Sequence, residues 1–255
     1  MRLLAVSGGL DSTIAWFYLG QPQTFYIRFH HRYMRKELRA IKRLSEKLTY
    51  FKPIVGDLNL NAFEWEPTDP RHAAYIPLRN LYIALYGYNL ACLLNKNQNV
   101  RHNHHTIFII GVKGDKSPDK SPEAYALMTN LINGLIHDYE PRVKIDSPFW
   151  NMTKGQIVKW FMKYYERYKD FAIDVLKRTL SCYRQEGERC GACPACFRTW
   201  VALTYAGIDC DDWFDNPVLE WDGVREYYKR AKNGYYDEQR CREILIALKR
   251  GGWNG

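Results

Sequence analysis

The chain has 255 residues, 46% of them hydrophobic, seven cysteines and a formal net charge of +9. That length and apolar content suffice for one main core, or one core with a small satellite, without disulfide stapling. No run of about 18 apolar residues occurs, and Met1-Arg2-Leu3-Leu4-Ala5-Val6 turns at once into Gly8-Gly9, too short a stretch for a signal peptide, so no membrane association and a cytoplasmic location are expected.

Residues 2–6 read as a buried strand, followed by a glycine turn at 7–11 and a helix over 12–19. Residues 24–29 alternate like a second strand, 32–48 carry helical spacing through Leu38, Ile41, Leu44 and Leu48, and 50–55 give a third strand. Two strand–helix–strand units in so short a span imply a parallel sheet. Residues 57–75, rich in Asn, Asp and Pro, read as a long loop, and 78–94 as an apolar helix entered through Pro77. The continuous apolar run 106–112 fits a central strand; a charged loop over 113–122, a helix over 123–136 and a strand over 142–145 follow. Thr153-Lys154-Gly155-Gln156 has capping-box spacing and opens another helix. The fold class expected is α/β, a doubly wound parallel sheet over residues 1–168, with a cysteine-rich and helical region over 169–255 packed on it.

Ser7-Gly8-Gly9-Leu10-Asp11-Ser12 sits between the first strand and the first helix, where glycines let backbone amides approach a phosphate and the helix N-terminus favours negative charge. The hydroxyls of Ser7 and Ser12 add donors, and Asp11 can orient a metal ion that accompanies nucleotide phosphates. The segment lacks the Gly-Lys-Ser/Thr of a P-loop and the Gly-x-Gly-x-x-Gly of a dinucleotide fold.

Cys182, Cys190, Cys193 and Cys196 form Cys-x7-Cys-x2-Cys-x2-Cys, a spacing that presents four thiolates to one tetrahedral ion, with Gly191 and Pro194 supplying turns. Zinc held so is closed and structural; an iron–sulfur cluster and unligated thiols are the alternatives. Cys92, Cys210 and Cys241 lack partners and read as buried or incidental, and His102, His104 and His105, beside Asn99 and Arg101, as a solvated loop. The basic stretches 28–36 and 229–232 would attract an acidic protein or nucleic-acid partner, although an ordinary solvated helix face accounts for the same residues.

The Ser-Gly-Gly-x-Asp-Ser turn after the first strand resembles that of the N-type ATP pyrophosphatases, which implies an adenine nucleotide alpha-hydrolase-like fold and ATP cleaved between its α- and β-phosphates. Joined to the cysteine quartet, Ile76-Pro77-Leu78-Arg79-Asn80, Gly111-Val112, Asp115-x-Ser117 and Thr179-Leu180-Ser181-Cys182-Tyr183, it is similar to the 7-cyano-7-deazaguanine synthase family of the queuosine pathway, or to a divergent paralogue of it, from residue 3 to about residue 206. Two segments depart from the family pattern: Pro118-Asp119-Lys120-Ser121-Pro122-Glu123-Ala124-Tyr125, and His30-His31-Arg32-Tyr33-Met34.

The resemblance implies ATP and Mg2+ as cofactors beside structural Zn2+, with the nucleotide held by Ser7, Gly8, Gly9, Leu10, Asp11, Ser12, Arg79 and Asn80. It places Asp11, Ser12 and Lys154 in catalysis and Arg79, Asp115 and Ser117 on the substrate. The implied chemistry adenylates the carboxylate of 7-carboxy-7-deazaguanine and uses ammonia to reach the nitrile, in a homodimer. A paralogue passing such a carboxylate to an amine on a protein or nucleic acid, a tRNA-thiolating pyrophosphatase and a non-catalytic basic module are the other readings. A tail aromatic set, Trp213, Phe214, Trp221, Tyr227 and Tyr228, is free either to join a subunit interface or to pack on the chain's own core.

Overall fold

In the computed structural model, which describes residues 1–64, 76–97, 102–115, 117–184 and 187–253, the chain opens with strand β1 (Arg2–Ala5) and helix α1 (Leu10–Tyr18). The unit repeats as β2 (Gln23–Arg28), α2 (Met34–Lys47) and β3 (Ile54–Asp57), after which α3 (Arg79–Lys96) leads to β4 (His104–Phe108) and α4 (Pro122–Leu135) to β5 (Arg142–Asp146). Helices follow: α5 (Lys154–Tyr164), α6 (Lys169–Arg178), α7 (Pro194–Tyr205), α8 (Gly223–Lys232) and α9 (Glu238–Arg250). The strands pair in parallel throughout, in the order β3-β2-β1-β4-β5, which is the doubly wound sheet expected.

Successive strand residues face opposite sides of a sheet, so a strand covered on both sides must be apolar at every position. Leu3 and Leu4 are both fully buried and belong to different cores. Leu4 joins Ile14 of α1, Leu44 of α2, Phe161 of α5, Val175 of α6, Trp200 of α7 and Leu248 of α9; Leu3 joins Phe25, Ile107 and Ile145 with Ala84 of α3 and Ile132 of α4. The first of these cores draws on residues from both sides of position 168. The tail aromatics pack on it as well: Phe214 is buried, and Trp213, Trp221, Tyr227 and Tyr228 are partly buried against it.

Two strands are displaced from their expected positions. Residues 50–53 are outside the third strand: Phe51 N donates to Leu48 O at 3.0 Å, its ring is fully buried, and Pro53 has no N–H for a ladder, so pairing begins at Ile54. The fourth strand covers His104–Phe108 where 106–112 was expected. Beyond Phe108 the apolar run leaves the ladder at Gly111, whose N donates to Ser147 Oγ at 3.1 Å while Ser147 Oγ donates back to Gly111 O at 2.6 Å. A serine side chain thus replaces a strand partner. His104 and His105 are accordingly strand residues and no solvated loop, with His105 at 1% exposure; Asn99 and Arg101 lie outside the described residues, as does the part of the expected loop over 65–75. The capping box at Thr153 and Gln156 is present in full. Among the described residues no helix is long and apolar enough to cross a membrane.

Candidate active site

The strand order reverses between β1 and β4, and in open parallel sheets the crevice at the carboxyl ends of such a pair receives ligands. A cavity of 590 Å³ opens there. Its floor is the turn from β1 into α1. Gly8 has φ +68°, and a Cβ on it would stand 2.7 Å from Ala40 Cβ of α2, so both the backbone and the space demand glycine. The loop is braced from within: Ser12 Oγ and Thr13 Oγ1 donate to Gly9 O at 3.1 and 2.9 Å, and Ser7 N donates to Ser12 Oγ at 3.3 Å. No side chain caps the N-terminus of α1, which leaves its first amides and the positive end of its dipole facing the cavity. Leu10 belongs to the turn by backbone only, because its side chain is 1% exposed within the core.

Lys154, at the start of α5, places Nζ 3.0 Å from Asp11 Oδ2. The other oxygen, Asp11 Oδ1, is buried without a hydrogen-bond partner, an orphaned acceptor that fits a cation bound with phosphate. Asp11, Ser12 and Lys154 are therefore brought together on one edge of the cavity with Ser7 and Gly9.

Arg79 and Asn80 enter α3 behind Leu78, which holds a left-handed conformation at φ +56°. Arg79 Nη1 lies 3.4 Å from the Tyr33 hydroxyl, which accepts its hydrogen bond. Asn80 is 1% exposed and spends Nδ2 on Asp119, at 3.0 Å to the carbonyl and 2.8 Å to Oδ2, and Ser117 Oγ donates to Asp119 Oδ1. Asn80 and Ser117 thus fix the loop ahead of α4, and both line the cavity together with Arg79 and Asp115. The stretch 28–36 is only partly a solvated face: His31, Tyr33 and Lys36 are 4%, 8% and 3% exposed and turn into the cavity wall. Burial pushes the Tyr33 phenol up to about 12.

The cysteine segment closes the opposite side. Leu180 N donates to Gly8 O at 2.9 Å, and a Cβ on Gly9 would meet Ser181 Oγ at 3.1 Å, so the run into Cys182 lies along the turn Ser7–Ser12. The Sγ atoms of Cys182, Cys190, Cys193 and Cys196 all lie within 4.8 Å of one another, and Cys190 and Cys196 are 3.9 Å apart, close to the edge of about 3.8 Å that four Zn–S bonds of about 2.3 Å require. The four cysteines fit zinc. Lys36 Nζ stands 3.5 Å from Cys182 Sγ and supplies positive charge beside a thiolate set. Arg189 Nη2 donates to the carbonyls of Leu176, Lys177 and Thr179 at 2.9, 3.0 and 2.6 Å, tying the knuckle to the end of α6.

Residues that sequence reasoning missed complete the wall. Tyr183 follows Cys182 of the cysteine cluster, and Arg198 Nη2 donates to its hydroxyl at 2.9 Å. Its pKa is lowered, chiefly by Arg198 and then by Lys120, Lys154 and Arg79. From the tail, Tyr227, Arg230, Tyr236 and Arg240 reach the same cavity, and Arg240 Nη1 donates to Gly114 O at 2.6 Å. Adjacency of Tyr183 and Arg198 to Cys182 and Cys196 was the available signal; the tail offered none, because its place over the cavity is a matter of tertiary packing.

A family model described as "Queuosine biosynthesis protein QueC" matches residues 58–207. Similar proteins include the 7-cyano-7-deazaguanine synthase of Methanocaldococcus jannaschii, 25% identical over 239 residues that cover 81% of this chain and 96% of that protein. The 7-cyano-7-deazaguanine synthase of Campylobacter curvus is 28% identical over 224 residues, with 80% and 92% covered, and that of Campylobacter jejuni strain RM1221 is 27% identical over 231 residues, with 81% and 94% covered.

Proposed function

The chain belongs to the queuosine biosynthesis protein QueC family, and from that premise we propose that it is an ATP-dependent, AMP-forming carbon–nitrogen ligase that converts 7-carboxy-7-deazaguanine and ammonia to 7-cyano-7-deazaguanine. One observation carries the reading: the amide-rich turn Ser7–Ser12, with Asp11 paired to Lys154, opens into the same cavity as Arg79 and Asp115. A nucleotide phosphate and a second anion can meet there. A carboxylate oxygen attacks the α-phosphorus, the bridging P–O bond to the β-phosphate breaks, and pyrophosphate leaves along the turn. Ammonia adds to the acyl carbon of the mixed anhydride; AMP leaves with the C–O electron pair, and a proton is released. The amide oxygen then attacks the α-phosphorus of a second ATP, releasing a second pyrophosphate, and loss of AMP with the C–O electron pair and of both N–H protons gives the nitrile.

Ser7, Gly9 and the first amides of α1 would bind the departing phosphates, and Lys154 would carry positive charge to them. Asp11, through its orphaned oxygen, would hold magnesium, which supplies neutralisation of phosphate charge when bound. The four cysteines would hold zinc as a closed structural site. A second reading, transfer of the activated carboxylate to an amine on a protein or nucleic acid, draws on the departure at residues 118–125, since Asp119 there organises Asn80 and Ser117 beside the acceptor.

With ATP, magnesium and 7-carboxy-7-deazaguanine the protein is expected to release AMP and pyrophosphate, and Asp11→Ala to slow this by about 100-fold or more through misplaced phosphates. ADP and orthophosphate as products would refute the reading. With ammonia added, a free nitrile seen by mass spectrometry supports the synthase; a mass increase on a macromolecule without free nitrile decides for the second reading.

A further inference from the structure

Two arginines in the cavity wall donate hydrogen bonds to phenols and make no direct ion pair among the described residues, although Glu37 and Asp119 act on Arg79, and Asp115 on Arg198, at longer range. Arg79 Nη1 meets the Tyr33 hydroxyl at 3.4 Å, and Arg198 Nη2 meets the Tyr183 hydroxyl at 2.9 Å. The two tyrosine rings lie 5.6 Å apart, centroid to centroid, tilted by 41°. The order in space is therefore guanidinium, phenol, phenol, guanidinium. Several arginines elsewhere pair with acids, Arg28 with Asp57, Arg43 with Glu188, Arg178 with Asp174 and Arg230 with Glu226, while Arg189 and Arg240 bond backbone carbonyls. Among the described residues no carboxylate lies within ion-pair distance of Arg79 or Arg198. Both line the 590 Å³ cavity, so an anionic ligand within it meets their positive charge directly.

The surroundings define that ligand's chemistry. A guanidinium presents a planar fork that matches a carboxylate in two parallel hydrogen bonds. Tyrosine rings offer flat apolar faces and, at their hydroxyls, further donors. Tyr183 is three residues beyond Leu180, whose N donates to Gly8 O, so the Tyr183–Arg198 contact adjoins the turn and lines the same cavity. The phosphate turn already has its own cations in Lys154 and the helix terminus, and needs neither arginine.

We propose that Arg198, oriented by Tyr183, is a specificity-determining residue that receives the carboxylate of a planar heteroaromatic acid, with Arg79 and Tyr33 completing the wall of that subsite. This deepens the function proposed above and rests on it for the identity of the acid. It also gives the cysteine knuckle a role toward substrate. Tyr183 follows the ligand Cys182 and Arg198 stands two residues after the ligand Cys196, so four metal–sulfur bonds would fix both ends of the Tyr183–Arg198 contact.

The test compares calorimetric binding of 7-carboxy-7-deazaguanine with that of 7-deazaguanine, which lacks the carboxyl group, to the wild-type chain and to Arg198→Gln, Arg198→Lys and Tyr183→Phe. The wild type is expected to prefer the acid by at least about tenfold, as one charge-assisted bidentate contact would give. Arg198→Gln is expected to lose that preference and to raise KM for the acid by a similar factor, with KM for ATP and zinc content unchanged; Arg198→Lys should recover part of the preference, and Tyr183→Phe, which keeps the ring and frees the guanidinium, should lose only part. Equal wild-type affinity for the two ligands, or an undiminished preference in Arg198→Gln, overturns the proposal. If the acid is preferred and Arg198→Gln abolishes that preference, yet the wild type forms no AMP from it, the subsite stands and the proposed reaction falls.

Discussion

Within one cavity, the wall proposed to hold phosphate is built mainly on one turn, Ser7–Ser12, at the end of one strand, whereas the opposite wall gathers Tyr33, Arg79, Asp119, Tyr183 and Arg198 from separate segments. The first wall is stiff by local means: a glycine at φ +68°, hydroxyls bonded back to Gly9 O, and a helix rooted in the core. The second depends on side chains reaching across the fold and on a cysteine knuckle. On the proposed reading, a chain built this way would keep its nucleotide chemistry while its acceptor side is altered, which is where its sequence departs from the family pattern.

The largest expected effect tests whether the knuckle holds the acceptor wall. Replacing Cys193 by Ser removes one of four buried thiols and also the atom to which Cys196 N donates at 3.5 Å at the start of α7. Structural zinc sites of this kind contribute on the order of 10 kcal/mol to folding, so metal and folded protein should be lost together, as read by metal analysis and thermal unfolding. Wild-type protein should carry about one zinc per chain. Stoichiometric iron and sulfide, or a stable, active, zinc-free variant, would contradict the assignment.

A smaller effect asks whether both walls melt as one unit. His105 of β4 is buried without a hydrogen-bond partner on either ring nitrogen, its ring centroid 6.5 Å from that of Tyr88 of α3, and does not line the cavity. Burial first, then the positive charges of the N-terminus and His102, lower its pKa from 6.5 to about 4. The unfolded chain therefore binds this proton at a higher pH than the folded one does. Stability is fully present above about pH 6.5 and is lost as the pH falls toward about 4, by up to about 3 kcal/mol. His105→Phe should flatten that slope in a series of denaturant titrations across pH 4–7. An unchanged slope would show that the proton is taken up elsewhere.

How the two walls relate to the sequence follows from the same contrast. The phosphate turn, the capping box at Thr153 and the cysteine quartet are legible because each is local: spacing along the chain sets spacing in space. The pairing of Lys154 with Asp11, by contrast, joins residues 143 positions apart, and only the return of α5 to the end of β1 creates it. His31 and Lys36 read as part of a charged helix face until α2 packs against the knuckle and buries them. The apolar run 106–112 marks a central strand correctly in kind, but Ser147 and Gly111 decide where its ladder ends. Aromatic residues in the tail carry no period that distinguishes an outer face from a lid, and their contacts with the core settle that question.

The smallest effect sharpens the comparison most, because it perturbs the acceptor wall without touching a ligand-facing group. Ser121 caps α4: its Oγ accepts a hydrogen bond from Ala124 N at 3.1 Å, with Pro122 in the first turn of the helix. Two residues earlier lies Asp119, which receives Asn80 and Ser117, so the cap anchors the loop that those bonds organise. Removing an N-cap hydroxyl costs about 1 kcal/mol, and Ser121→Ala should lower stability by that amount in denaturant titration. If the acceptor wall is held by dispersed contacts, the same change should raise KM for the carboxylate by a small factor while KM for ATP stays constant, because the turn at Ser7–Ser12 shares no hydrogen bond with α4. A parallel rise in both constants would mean that the two walls move together, and that the local stiffness of the phosphate turn does not isolate it from the rest of the cavity.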